Sequence, residues 1–435
     1  MHQSGNDEST PGPKIPRTFL EYIRSFGPGI VVVLTWLGAG DIVVSGIAGG
    51  DYGYTLMWVL VLAAMVRFVF VSLIAKYQLC NPHGESVLDG LVRLHHWYAP
   101  FLVIASISMA HVLGAYMLVG CGETWVNLTG RGATWHWSLL WLFVALALVF
   151  RPLYQRIETV FKVILAALAV SLVGSAVWVG PNPAGILRGA FAFAVPPKHG
   201  LFDALLVAVS MIGALGGSMM NLAYPYFMEL KGWRGPAYRR LQSYDLLLGV
   251  VVMIILNLAV WTLGAELMYG NDRPIEGLDD LVNLLREVLG PWGRGVFLMG
   301  VFAAVFTSYV GISMVLALIA SHGCRRWRGN NPSGGPDEKS TPVYRGVVVW
   351  GLVSPMIWTI PGMPDFVQLT IVGNCLQVPL VPVLAGGLWR ITASGKYIGR
   401  EHRNRIWENL VMLLTFVLAV WGSIELLKSM LSNLF

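Results

Sequence analysis

The sequence predicts an all-α integral membrane protein, and three observations lead to this fold class. Of the 435 residues, 55% are hydrophobic and only 12% are charged, and the mean hydropathy is +0.63. A soluble domain carries about a quarter charged residues. Eleven stretches of the chain are long and apolar enough to cross a bilayer, and most lysines and arginines lie on one side of these stretches.

Each predicted span holds about 20 mostly apolar residues, which is the length that a helix needs to cross a bilayer. The spans cover residues 28–48, 54–79, 99–121, 136–151, 158–180, 202–228, 243–266, 294–321, 343–361, 364–389 and 407–428. Because their number is odd, we expect the two termini on opposite faces of the membrane.

The distribution of positive charge predicts the orientation. With the N-terminus in the cytoplasm, 22 of the 30 lysines and arginines lie on the inner side, 7 lie on the outer side, and Arg67 lies within a span. Cytoplasmic loops carry such an excess of positive charge. We therefore expect a plasma (inner) membrane protein with a cytoplasmic tail at 1–27 and an extracytoplasmic C-terminus. The tail lacks the apolar core of a cleaved signal peptide.

Several functional classes are not expected from this sequence. The net charge of +6 follows from the topology and does not indicate a nucleic-acid partner. The four cysteines lack metal-site or redox spacing. No constellation of His, Cys and acidic residues and no nucleotide motif is recognisable, so we expect neither an enzyme nor a cofactor. No obligate protein partner is evident.

Two loops are distinctive: an outer one with an amphipathic helix in "LDDLVNLLREVL" and a Gly/Pro/Ser-rich inner one, "CRRWRGNNPSGGPDEKSTPVYR".

Glycine clusters predict that the first and sixth spans are interrupted. The first contains Gly38-Ala39-Gly40-Asp41, and the sixth contains "IGALGGSMMNLAYPYF". Glycine weakens a helix by about 1 kcal/mol relative to alanine. Interrupted helices at matching positions of two halves are typical of a transporter binding site. The alternative is close helix packing, which also selects small residues.

These stretches resemble the NRAMP (natural resistance-associated macrophage protein) metal-transporter family. The resemblance begins in "FGPGIVVVLTWLGAGDIVVSGIAGGDYGYTLMW" and continues through "YPYFMELKGW", "LQVPLVPVLAGGLW" and "SGKYIGR". It implies a LeuT-type fold in which residues 28–180 and 202–389 form two inverted five-helix repeats. Residues 390–435 would add an inner loop and the eleventh helix.

The family's metal-binding residues are not kept in this chain. The liganding Asp of the family's Asp-Pro-Gly-Asn motif falls on Gly38, and its liganding Asn falls on Asp41. In the sixth span the family's Ala-x-x-Met-Pro begins at Ala214, and its Met falls on Gly217. The resemblance therefore implies a divergent branch, similar to the NRAMP-related magnesium transporters.

The family's proton route is altered in the same way. Its Asp and Glu in the third helix fall on Ser108 and His111, and the His that follows its Met-Pro falls on Met219. His111 could titrate near neutral pH and couple protons. The alternative is a neutral histidine that is hydrogen-bonded between helices.

Asp41 is the candidate for metal binding. It lies about 10 Å below the outer end of its span, where an ionised group without a partner would cost at least about 2.5–3.5 kcal/mol. One interpretation is a carboxylate that attracts a cation, and another is a cap on the second half of the helix; the two are compatible. The candidate substrate-binding residues are Gly38, Asp41, Ala214, Gly217, Ser218, Asn221 and Asn374.

The expected oxygen ligands suit hydrated Mg or Mn, although a single carboxylate would equally suit a monovalent ion or an organic ammonium group. Arg67 could pair with another group between helices. If it faces Asp41 instead, a zwitterion such as an amino acid becomes plausible. Tyr224, Tyr226 and Glu229 close the sixth span near the inner surface and are candidates for gating.

Three hypotheses follow. The first is a transporter of divalent metal cations, hydrated Mg or Mn, that works by alternating access with weak or absent proton coupling. The second is a transporter of the same fold for a small organic solute, an amino acid or amine. The third is a membrane receptor or scaffold that has lost transport. The sequence leaves the direction of transport and the oligomeric state open.

Overall fold

The computed structural model describes residues 39–150, 154–216, 218–271, 273–329 and 339–432, together with Pro16 and Glu21. All regular elements in these ranges are helical. The α-helices are α1 Ala39–Tyr52, α2 Met57–Cys80, α3 Val87–Leu94, α4 Tyr98–Thr129, α5 Thr134–Val149, α6 Tyr154–Val179, α7 Pro183–Ala192, α8 Ala204–Met211, α9 Tyr224–Leu230, α10 Arg239–Leu263, α11 Leu278–Leu289, α12 Pro291–Trp327, α13 Pro342–Val353, α14 Phe366–Cys375, α15 Val381–Ala393, α16 Gly395–Ile398 and α17 Ile406–Ser432.

Eight helical segments of the described chain are long and apolar enough to cross a membrane, and α5 is a shorter apolar helix. The two other predicted spans correspond to α1 and to α13 with the 3₁₀ turn Ser354–Thr359 that follows it. Residues 28–38, the first half of the first predicted span, lie outside the described ranges. The count of eleven spans therefore stays a prediction.

Two peripheral helices face the lipid. The most apolar windows of α6 and α17 are only 33% and 28% buried within the protein. On α6, Val163, Val170 and Val177 are all exposed, and their spacing of seven residues places them on one face of the helix. An exposed apolar face of this kind is expected on a helix at the lipid-facing surface, which agrees with the membrane protein that the composition predicts.

The core is built around the two longest helices, α4 and α12, which pack against each other more extensively than any other pair of described elements. Helix α1 packs against α10 and against the π-helical turn Gly264–Met268 that extends it. An added Cβ on Gly49 would lie 2.2 Å from the carbonyl oxygen of Trp261. One on Gly264 would lie 2.7 Å from the carbonyl oxygen of Gly46. We call this backbone contact between α1 and the end of α10 the glycine seam.

The predicted interruption of the sixth span is confirmed. Helix α8 ends at Met211, a π-helical turn covers Ile212–Gly216, and a 3₁₀ turn covers Met219–Ala223 before α9 begins. Between these turns Ser218 has a φ of −52° and a ψ of 137°, which is not helical. The tenth span is also interrupted, because the 3₁₀ turn Val378–Leu380 separates α14 from α15.

The described connecting segments contain one predicted α-helix and three unpredicted ones, of which α16 is a single turn. Helix α11 coincides with the predicted amphipathic stretch. Helices α3 and α7 were not expected, although both carry starting signals: a capping box between Ser86 and Asp89, and an Asn182 cap followed by Pro183. Residues 330–338, in the inner loop predicted to be flexible, lie outside the described part of the chain.

Candidate functional site

A small cavity of about 50 Å³ lies beside the interrupted sixth and tenth spans. This volume holds a few water molecules. The cavity is lined by Gly40, Asp41, Arg67, Tyr116, Met117, Ala214, Ser218, Met220, Ser308, Ile312, Asn374 and Gln377. Of the candidate substrate-binding residues, the structure therefore brings Asp41, Ala214, Ser218 and Asn374 together. Gly38 and Gly217 lie outside the described residues, so their roles stay predictions.

Glycines allow the elements around the cavity to approach closely. An added Cβ on Gly213, in the π-helical turn, would lie 2.1 Å from the carbonyl oxygen of Asn374. One on Gly40 would lie 3.3 Å from Asn374 Nδ2 and 3.4 Å from the Tyr116 hydroxyl. Small residues at Gly213 and Gly40 thus bring the end of α14 against both the π-helical turn and the first turn of α1.

Asp41 lies in α1, close to where the described residues of this helix begin, and is only 5% exposed. Its Oδ2 atom is buried and has no hydrogen-bond partner in the described part of the chain. A buried carboxylate oxygen without a donor is costly, so this atom is an open position for a cationic ligand.

Arg67 lines the same cavity from the middle of α2 and is also 5% exposed. Its Nη1 donates to Met253 Sδ on α10 at 2.9 Å. The opposite charges of Arg67 and Asp41 act on each other. The cavity therefore contains one negative and one positive side chain, and its other described lining residues are uncharged.

A chain of hydrogen bonds joins the sixth and tenth spans beside the cavity. The Ser218 hydroxyl donates to Gln377 Oε1 at 2.6 Å, and Gln377 Nε2 donates to Asn374 Oδ1 at 3.3 Å. Asn374 Nδ2 is buried without a hydrogen-bond partner among the described residues. These three side chains fix the polar side of the cavity and supply uncharged oxygen atoms to it.

The other sequence candidates lie away from the cavity lining. Asn221 is buried in the turn Met219–Ala223. Ser108 is exposed on α4. His111 Nε2 accepts from Trp358 Nε1 at 3.0 Å, and its Nδ1 lies 2.9 Å from Ser354 Oγ. Because the indole N–H can only donate, His111 is a neutral imidazole that donates from Nδ1 to Ser354.

Two of the three proposed gating residues, Tyr224 and Glu229, make polar contacts at the C-terminal end of the sixth predicted span. Gln242 Nε2 donates to the Tyr224 hydroxyl, which donates to Asp245 Oδ2, both at 3.4 Å. Gln78 Nε2 donates to Glu229 Oε1 at 2.9 Å. This network connects the segment after the interrupted span with α2 and α10. These contacts do not show a gating motion, so the gating roles of Tyr224, Tyr226 and Glu229 stay predictions.

Sequence reasoning missed several cavity residues, namely Tyr116, Met117, Met220, Ser308, Ile312 and Gln377. Gln377 stands in "LQVPLVPVLAGGLW", so its position in a shared stretch was a usable signal. The two methionines correct an expectation: the site is not lined by oxygen ligands alone, because Met117 and Met220 bring thioether side chains to it. Whether these two residues face the cavity depends on how their helical segments are rotated about their axes, which a single sequence does not reveal.

No group of three or more His, Cys, Asp or Glu side chains in the described ranges could hold a metal ion. Any cation at this site would therefore rely on the single carboxylate of Asp41 together with uncharged side chains, backbone carbonyls and water. Carboxylate, carbonyl and water oxygens are ligands that suit Mg and Mn.

Comparisons with known proteins bear on the fold and the family. The Nramp model, described as natural resistance-associated macrophage protein-like, matches residues 29–429. One relative is the divalent metal cation transporter MntH of Bacillus subtilis (strain 168). It is 22% identical over 311 residues, which cover 67% of this chain and 69% of the relative.

Two solved structures show the likeness in fold. The manganese transporter of Eremococcus coleocola, in complex with an aromatic bis-isothiourea substituted compound, has a TM-score of 0.72 at 14% identity, over 96% of this chain and 89% of that chain. MhsT in complex with L-phenylalanine has a TM-score of 0.54 at 13% identity, over 92% and 98%. The fold is the LeuT type, with two inverted repeats. The chain belongs to the Nramp family, as a divergent member without that family's usual metal-binding motifs.

Proposed function

We propose that this protein carries divalent metal cations, Mg or Mn, across the membrane by alternating access. The observation that carries the proposal is the buried Oδ2 atom of Asp41, which has no hydrogen-bond partner among the described residues and lies at a small cavity beside the interrupted sixth and tenth spans. Membership in the Nramp family supports it, as does the relative from Bacillus subtilis that is named a divalent metal cation transporter.

The cavity admits a cation with only part of its water shell. Its volume of about 50 Å³ holds a few water molecules, whereas Mg usually keeps several. Ser218, Asn374 and Gln377 offer uncharged oxygen atoms, and the Ala214 carbonyl lies in the turn that lines the cavity. In a cavity of this size the ion would exchange part of its hydration for the Asp41 carboxylate and these groups.

Proton coupling is weak or absent in this proposal. Asp41 is the one acidic side chain among the described residues that line the cavity. His111 lies outside the lining and is held as a neutral imidazole by Trp358. The proposal therefore gives neither Ser108 nor His111 a proton-carrying role.

The proposed organisation follows the repeats of the fold. Residues 28–180 and 202–389 would form the two inverted repeats, residues 1–27 a cytoplasmic tail, and 390–435 an inner loop with the last helix. The excess of lysine and arginine on one side supports a cytoplasmic N-terminus and an extracytoplasmic C-terminus.

The test is uptake of Mn²⁺ and Mg²⁺ into proteoliposomes by the wild type, by Asp41→Asn and by Glu425→Gln. Glu425 is the matched control, because it is a carboxylate that pairs with Lys428 at the far end of α17. We expect Asp41→Asn to lose most of the uptake and Glu425→Gln to keep it. Absence of both fluxes from folded wild-type protein would refute the proposal.

A second candidate function rests on Arg67. A carboxylate and a guanidinium in one cavity are complementary to a zwitterion such as an amino acid. The small volume of the cavity, about 50 Å³, argues against any but the smallest solute. Thermal stabilisation of the purified protein by amino acids or amines, and not by metal ions, would favour this candidate.

A further inference from the structure

A positive and a negative side chain share the proposed ion site. Arg67 lies about ten residues, or about 15 Å, from the start of α2, so the helix places its charge deep in the membrane. An arginine at such a depth costs at least about 2.5 kcal/mol unless other groups compensate it. Side chains of this kind mark functional sites by default, and here the nearby opposite charge is that of Asp41.

The contact of Arg67 with α10 is made to an uncharged group. Its Nη1 contacts Met253 Sδ, and a thioether sulfur is an uncharged, weak acceptor. Met253 and Asn257 lie one turn apart on α10, and Asn257 Oδ1 accepts a hydrogen bond from Ser45 on α1 at 2.7 Å. Helix α10 thus supports both the guanidinium and the helix that carries Asp41.

The sum of the two charges sets a limit on cation binding. Asp41 contributes −1 and Arg67 contributes +1, so the charged side chains in the described lining sum to zero. A divalent cation would then leave two uncompensated positive charges in a region where water screens them poorly. In the same cavity without Arg67, a divalent cation would leave only one uncompensated positive charge.

We propose that Arg67 is the resident counter-ion of the cavity. It balances Asp41 when the site is empty and opposes each cation that enters, so it sets the affinity for the metal. This inference rests on the proposed function and adds a specificity-determining residue to it. A site of this kind binds divalent cations weakly, which suits an ion present at high concentration.

The experiment measures Mn²⁺ binding to purified full-length protein in detergent by titration calorimetry. Arg67→Met removes the charge while keeping an unbranched side chain, and Arg67→Lys keeps the charge. Arg294→Met is the matched control, because Arg294 contacts the Asn127 carbonyl away from the cavity. Elution as a single species and an unchanged helical circular dichroism spectrum establish folding, and Arg67→Gln replaces Arg67→Met if the latter aggregates.

We expect Arg67→Met to bind Mn²⁺ at least about tenfold more tightly than the wild type, which corresponds to about 1.4 kcal/mol. Arg67→Lys and Arg294→Met should bind like the wild type. The double variant Asp41→Asn/Arg67→Met should lose the gain, because the gain acts through the carboxylate.

Equal or weaker binding by Arg67→Met, with measurable binding by the wild type, would overturn this inference and leave the proposed function in place. Absence of Mn²⁺ binding in every folded variant would overturn this inference, and together with absence of Mn²⁺ and Mg²⁺ uptake by the wild type it would overturn both. The two failures are therefore distinguishable by titration and uptake together.

Discussion

The Ser218 hydroxyl lies 2.6 Å from Gln377 Oε1, and this hydrogen bond connects the interrupted sixth span with the interrupted tenth span. Both side chains are buried, at 6% and 3% exposed. The bond joins the two spans where their α-helices are interrupted, because Ser218 has non-helical torsion angles and Gln377 directly precedes the 3₁₀ turn Val378–Leu380. It therefore contributes to holding the sixth span against the tenth span beside the cavity.

Removal of this donor should destabilise the protein. In Ser218→Ala the buried Gln377 Oε1 loses its partner, and an unsatisfied buried acceptor costs about 1–3 kcal/mol. Denaturation in detergent micelles measures the free energy of unfolding. Ser243→Ala is the control, because its hydroxyl donates to the Arg239 carbonyl within the same helix. Equal losses in both variants would argue against a special role for the Ser218 bond.

Gly213 should not tolerate a side chain. An added Cβ would lie 2.1 Å from the Asn374 carbonyl oxygen, so Gly213→Ala forces two backbones apart and should cost at least about 1–3 kcal/mol. Gly174 on α6 has no neighbouring atom within 4 Å of its added Cβ. Gly174→Ala should therefore stabilise the protein by about 0.5–1 kcal/mol. Thermal unfolding of both variants checks these opposite signs, and a neutral Gly213→Ala would contradict the close approach.

The pH dependence of transport should not depend on His111. Trp358 donates to its Nε2, so the imidazole is neutral and its acceptor nitrogen is already used in a hydrogen bond between helices. His111→Gln should shift the pH profile of metal uptake no more than Ser108→Ala, a control on the exposed face of the same helix. A profile displaced only in His111→Gln would assign proton coupling to this residue.

Asp89 on α3 should stabilise the protein in a pH-dependent way. Burial alone raises its pKa, but hydrogen bonds from His322 and Ser86 and the positive charge of Arg326 outweigh this and lower the pKa to about 2. A carboxyl group whose pKa is depressed on folding stabilises the protein above its unfolded pKa of about 3.9. This stabilisation is lost as the pH falls through the folded value.

We therefore expect Asp89→Asn to lower the free energy of unfolding by about 2 kcal/mol at pH 7, with a difference that shrinks below about pH 4 and vanishes near pH 2. Asp203→Asn is the control, because Asp203 caps α8 and asparagine caps a helix equally well. Denaturation of both variants across this range measures the effect. A loss for Asp89→Asn that is the same at pH 7 and pH 3 would contradict the electrostatic origin.

Features that depend on local sequence could be predicted, and those that depend on helix rotation could not. The glycine cluster around Gly213 predicted an interruption that the structure contains, and the pattern of 278–289 predicted α11. Asp41 was recognisable because a lone acid in an apolar span needs a partner. Met117 and Met220 were missed, because which face of a helix meets the cavity is decided by packing between distant segments.

The position of Arg67 likewise depends on helix packing that could not be predicted from the sequence. Its depth in the membrane follows from its place in α2, but its approach to the cavity depends on contacts with α10, more than 180 residues away. The sequence left two possibilities for this side chain: it could pair with another group between helices, or it could face Asp41. Only the packed helices bring the guanidinium to the cavity.

The glycine seam has a consequence for how solvent reaches Asp41. At Gly49 and Gly264 the backbone of α1 touches that of α10 and its π-helical extension, and an added Cβ on Gly49 would lie 2.2 Å from the carbonyl oxygen of Trp261. A contact this tight leaves no room for water between the two backbones at this point. We therefore expect water that reaches Asp41 along α1 to pass another side of the helix, such as the side on which Gly40 lies close to Tyr116 and Asn374.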